Sequence, residues 1–77
     1  MTKDEAQREV IRRWYELPAD MRQTPDDCEI FAEHVAPQIA FESVTSRQRL
    51  LAAWLMRELF RSREAEAARA DARTLAA

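Results

Sequence analysis

The chain has 77 residues, a formal net charge of −2, one cysteine, one histidine and no glycine. A chain this short is at most one domain, and it buries only about 60% of the surface that its unfolded form exposes, so its stability margin is small. Cys28 and His34 stand alone, which excludes an intrachain disulfide and a Cys/His metal site and leaves regular helix packing or a partner subunit to supply the margin.

The lack of glycine argues against phosphate-cradling loops and two-residue hairpins, both of which need positive φ. The longest apolar run, Leu50 to Met56, falls well short of the roughly 20 residues that span a membrane. Met1 to Glu9 is mostly charged and polar, without the apolar core of a signal peptide, so a cytoplasmic protein is expected. Eleven arginines to one lysine, with fourteen alanines, fit a GC-rich bacterial coding sequence. Residues 1–44 carry five basic and ten acidic side chains, net −5, whereas residues 45–77 carry seven and four, net +3. Such a charge dipole favours self-association and steers charged partners, more weakly as salt rises.

The first predicted helix spans residues 3 to 17. Thr2 and Glu5 have the spacing of a capping box, in which each side chain satisfies a backbone N–H of the other residue. Ala6, Val10, Ile11, Trp14 and Leu17 form one apolar stripe. Asp4 with Arg8, Glu9 with Arg13, and Arg12 with Glu16 pair across the wet face, and Pro18 closes the helix.

A second helix, 25 to 36, opens on Thr24-Pro25-Asp26-Asp27, which supplies an N-cap hydroxyl, a proline at the first turn and two carboxylates at the positive end of the helix dipole. Cys28, Phe31, Ala32 and Val35 give it a narrow apolar face that needs a neighbour, and Pro37 ends or kinks it. Gln38 to Val44 reads as a connector anchored by Ile39 and Phe41, because a lone strand cannot satisfy its backbone.

The third helix, 46 to 72, starts at a second capping box, Thr45-Ser46-Arg47-Gln48. Its apolar residues, Leu50 to Met56 with Leu59 and Phe60, point nearly all round, as in a helix buried on most sides. After Phe60 the core material ends. A compact chain of this length has a radius of gyration of about 11 to 12 Å, and a helix running to Leu75 measures roughly 45 Å, so its end must overhang or fray. The expected architecture is therefore all-α: a compact helical domain over 1–60, and an alanine- and arginine-rich helical extension over 61–77 that overhangs the core.

The chemical residues form no catalytic constellation. His34 lies six residues after Cys28, on a nearly opposite helix face, so Cys28 reads as a small buried thiol. Asp26, Glu29 and Glu33 form an acidic stripe that reads first as a solvated face, then as a partner contact and least as a metal site, since hard cations want six or more converging oxygens. Arg47, Arg49, Arg57, Arg61, Arg63, Arg69 and Arg73 make the third helix basic, as in major-groove readers. Glu58, Glu64, Glu66 and Asp71 interleave with them, however, and the whole chain is acidic.

Ala65, Ala68, Ala72 and Leu75 fit a short coiled-coil seam, and Tyr15 lies beside the first stripe as an exposed anchor. The expected function is a non-enzymatic interaction module without cofactor or metal. It self-associates as a homodimer or binds another protein through Tyr15, Arg57, Arg61, Ala65, Ala68, Ala72 and Leu75. The alternative is a nucleic-acid-binding regulator that uses Arg47, Arg49, Arg57, Arg61 and Arg63.

Overall fold

The computed structural model describes the backbone of residues 1–76 and the side chains of residues 1–71. It is all-α, with helix α1 at Lys3–Glu16, a 3-10 turn at Ala19–Met21, helix α2 at Pro25–Val35 and helix α3 at Arg47–Ala76. No strand occurs among the described residues, and none of their helices is long and apolar enough to cross a membrane.

Helix α1 ends where its proline dictates. Leu17 takes an extended conformation (ψ 150°) as the C-cap, one residue before Pro18, so it closes the helix instead of belonging to it. At the other end, Thr2 Oγ1 accepts from the Glu5 N–H at 3.2 Å. The expected return bond takes another form: the Thr2 hydroxyl donates to the Glu5 carboxylate at 3.0 Å. On the wet face, Glu9 accepts from Arg13 at 2.8 Å and from Arg12 at 2.6 Å, and Arg12 also pairs with Glu16. The two guanidinium groups pull the Glu9 carboxyl down to about 2. Arg8 turns instead to the Asp4 backbone carbonyl, at 3.5 Å.

A complete capping box starts α2. Thr24 Oγ1 accepts from the Asp27 N–H at 3.1 Å, and the Asp27 carboxylate accepts from the backbone N–H groups of Gln23 (2.9 Å) and Thr24 (3.2 Å). These bonds, led by the one from Gln23, hold the Asp27 carboxyl below its ordinary range. Helix α3 begins at Arg47. The Ser46 carbonyl accepts its first helical bond from Leu50 at 3.0 Å, so the cap lies one residue later than the box proposed at Thr45.

The core is a single layer: Ala6, Val10 and Trp14 from α1, Cys28, Ala32 and Val35 from α2, Ile39 and Phe41 from the connector, and Leu51, Trp54, Leu55 and Leu59 from α3. Trp14 packs on Phe31 with ring centroids 5.8 Å apart, and Phe41 on Trp54 at 5.4 Å, so the connector is pinned as part of the core. Helix α1 runs alongside α3 in the same direction, with Tyr15 near its end reaching Glu58. Helix α2 runs back along α3, since Gln23 at its start is hydrogen-bonded by Arg63 and the connector then returns the chain to Arg47.

Helix α3 is not buried on most sides, which corrects the expectation from its all-round apolar pattern. Two neighbours cover two sides of a helix, and the third stays open: Arg49, Ala53, Arg57 and Phe60, at four-, four- and three-residue steps, are all exposed. Among the described residues Leu59 is the last side chain that α3 buries, and residues 63–71 are exposed throughout. The molecule measures 49 × 22 × 19 Å, with a radius of gyration of 14.5 Å. That is well above the compact value, because α3 overhangs the core as its length requires.

Candidate functional site

The two seams that α3 makes with its neighbours differ in chemistry. On the α1 side, Glu58 occupies a core position, because Leu51, Leu55 and Glu58 follow one another at i, i+4 and i+7. It is only 7% exposed, and a buried carboxylate needs partners. Tyr15 supplies one by donating its hydroxyl to Glu58 Oε1 at 2.6 Å, and Arg61 supplies another at 2.7 Å to Oε2 and 3.0 Å to Oε1. Burial by itself raises the Glu58 carboxyl, but the bonds from Tyr15 and Arg61 outweigh it and hold the group below its ordinary value. The same burial, with the neighbouring carboxylate, raises the Tyr15 phenol. Arg22 caps the arrangement with its guanidinium 5.3 Å from the centre of the Tyr15 ring. This clasp fastens α1 to α3 and leaves no buried side-chain polar atom without a partner among the described residues.

The outer face of α2 and α3 is a different surface. Asp26, Glu29, Ile30 and Glu33 of α2 and Gln48, Arg49, Ala52, Ala53 and Met56 of α3 line an open groove of about 590 Å³. Ile30 is 65% exposed and Phe60, one turn beyond Met56, is 49% exposed. A large β-branched side chain left in water beside two alanines is a protrusion next to a recess. The flanking charges have opposite signs, acidic on α2 and basic on α3 through Arg49 and Arg57. Among the described residues none of Asp26, Glu29, Glu33, Arg49 and Arg57 forms an ion pair.

The residues proposed from sequence fall into separate places. Tyr15 is 42% exposed, but its hydroxyl is committed to Glu58, and Arg61 is committed to the same carboxylate. Arg57 lies open on the outer side of α3, and Ala65 and Ala68 are exposed on the overhang. Ala72 and Leu75 lie outside the residues whose side chains are described. Of the five arginines proposed to contact nucleic acid, Arg47, Arg49 and Arg57 are open, Arg61 is paired and Arg63 is bound to the Gln23 carbonyl. At 100° per residue Arg47 and Arg49 point 160° apart with Arg57 between them, so the three open side chains spread over nearly half of the helix circumference instead of lining one narrow groove-facing side.

Cys28 is fully buried on the core side of α2, whereas His34 is exposed. Burial, aided by the Asp27 carboxylate, pushes the thiol up to about 11, so at neutral pH it is a protonated packing group. No cluster of three or more potential metal-ligating side chains occurs among the described residues.

Two residues that shape these surfaces were passed over in the sequence reading. Glu58 was counted among the acids interleaved with arginines, although its register with Leu51 and Leu55 marks a buried position. Ile30 sits two residues off the Cys28–Ala32–Val35 stripe, and a large apolar residue outside its helix's own stripe is the available signal for a second face. Compared with family models, curated proteins and solved structures, the chain gives no significant match to any of them.

Proposed function

We propose that the protein is a cytoplasmic, non-enzymatic helical interaction module that self-associates as a homodimer. The outer face of α2 and α3 carries this reading: Ile30 stands in water beside a recess lined by Ala52, Ala53 and Met56, with the exposed Phe60 one turn beyond, between acidic and basic flanks that form no ion pair among the described residues. An apolar centre with a polar, charged rim is the usual anatomy of a protein contact. A small single-layer core gains most from covering such a surface, because each additional buried side chain is a sizeable fraction of its stability.

The test is the solution mass of the full chain by sedimentation equilibrium from micromolar to millimolar concentration. The expected result is a reversible rise from 9.0 kDa toward twice that mass. A constant 9.0 kDa across the range would remove the proposal. Duplex DNA binding with a steep salt dependence is the second reading; it rests on the open Arg47, Arg49 and Arg57 and draws less support, because these residues diverge around α3.

A further inference from the structure

The charge layout of the open face restricts how a second copy can dock on it. Two copies pressed face to face are related by a two-fold axis lying in the plane of contact. If that axis runs across the helices, α2 lies on α2 and α3 on α3. The stripe Asp26, Glu29 and Glu33 then meets its own duplicate, and Arg49 and Arg57 meet theirs. Like charges brought together at an interface cost several kcal/mol, so this arrangement is disfavoured. If the axis runs along the helices, each α2 lies over the α3 of the other copy and every acidic flank faces a basic one.

The heights along the helices are then preserved, because rotation about an axis parallel to them leaves heights unchanged, and each residue of α2 meets the α3 residues it already stands level with or a turn away from. Gln23 lies level with Arg63, and α2 runs antiparallel to α3. Counting back from there places Ile30 level with Met56 and Glu33 level with Ala53, with Arg49 about one turn further on. Resting on the self-association reading above, we infer that the homodimer is built about a two-fold axis parallel to α2 and α3, with Ile30 of each copy seated over Ala53 and Met56 of the other and Glu33 paired with Arg49 across the interface.

The small side chains of Ala52 and Ala53 serve this docking by letting a helix approach closely enough for Ile30 to fill the recess. The contact is modest in size. A pair of helices about 16 Å long and 10 Å apart offers on the order of 500 Å² per copy, at the low end of specific interfaces, so the dimer dissociates in the micromolar range or above. Both ends of α3 project from the same end of the dimer, bringing the two overhanging segments alongside each other.

The test is a charge swap read by sedimentation equilibrium on full-length protein, with circular dichroism confirming helix content. Glu33→Arg alone places two arginines at each contact, and Arg49→Glu alone places two glutamates there. Each is expected to weaken the homodimer at least about tenfold. Mixing the two variants restores an opposite-charge pair at both contacts, one with native and one with reversed polarity, so the heterodimer should return to within about threefold of the wild-type affinity. A wild-type dimer that both single variants leave unchanged, or that Glu33→Arg strengthens, overturns this geometry while leaving self-association standing. A wild-type chain that is monomeric at all concentrations overturns both.

Discussion

Helix α3 meets water-excluding neighbours on one flank through the Tyr15–Glu58–Arg61 clasp and presents an uncovered surface on another, and the two differ in how they treat charge. At the clasp, a carboxylate in a core register is met by a hydroxyl and a guanidinium, so nothing polar is left over. On the outer face of α2 and α3, five charged side chains of both signs have no ion-pair partner among the described residues, and a 65% exposed isoleucine stands between them. Within one small chain, charges that pair internally mark a seam that folding closes. Charges left open around exposed apolar groups are the ground on which we propose that a second molecule closes the other surface.

Both flanks depend on one common core, and weakening it has the largest effect. Leu55 is fully buried between them, and Leu55→Ala is expected to cost about 2–5 kcal/mol. A chain this size has a total stability near the bottom of the usual 5–15 kcal/mol range, so a urea titration should find the variant largely unfolded at 37 °C.

The clasp should matter less, and only to folding. Tyr15→Phe removes the hydroxyl donor but leaves Arg61, and is expected to cost about 1–2 kcal/mol in denaturant titration without changing the association constant. Glu58 also gives the clasp a pH signature. Its carboxyl is held below its ordinary value in the folded chain, so its contribution is fully present above the unfolded value near 4.5 and is lost as pH falls through the lower folded value. The stability difference between wild type and Glu58→Gln should therefore shrink below pH 4.5, and a difference independent of pH would show that the carboxylate is not held by its partners.

Smaller effects on folding sharpen the contrast. Ile30→Asp alters an exposed residue, and the monomer's unfolding free energy should shift by no more than about 0.5 kcal/mol while association is lost. Paired glutamates at Ala65 and Ala68, on the exposed overhang that the dimer brings alongside its duplicate, should leave folding unchanged and weaken the dimer only slightly, because salt screens charges held apart in water. A dimer lost in that variant would move the interface to the tail.

Much of the fold can be read from local chemistry. Thr24-Pro25-Asp26-Asp27, the proline after Leu17 and the stripes around Trp14 and Ala32 each act within a turn or two of helix, so their outcomes follow from spacing alone. The overhang of α3 was legible because helix rise and domain size are both fixed quantities. Other features depend on which helices become neighbours. The sequence marks Leu50 to Phe60 as apolar all round without saying that only two helices are available to cover it, so the exposure of Ala53 and Phe60 emerged from the packing. Tyr15 and Glu58 are 43 residues apart, and nothing local to either names the other. The candidate face shares this limit, since Ile30 stands out only once Arg49 and Ala53 lie beside it.

Whether the uncovered face of α2 and α3 closes on a second copy is decided by light scattering on the wild-type chain and Ile30→Asp side by side over the same concentrations. The wild-type mass should climb from 9.0 kDa toward double while the variant stays at the monomer value with unchanged helix content. A wild type that never exceeds 9.0 kDa, or an Ile30→Asp variant that dimerises equally well, would contradict that closure.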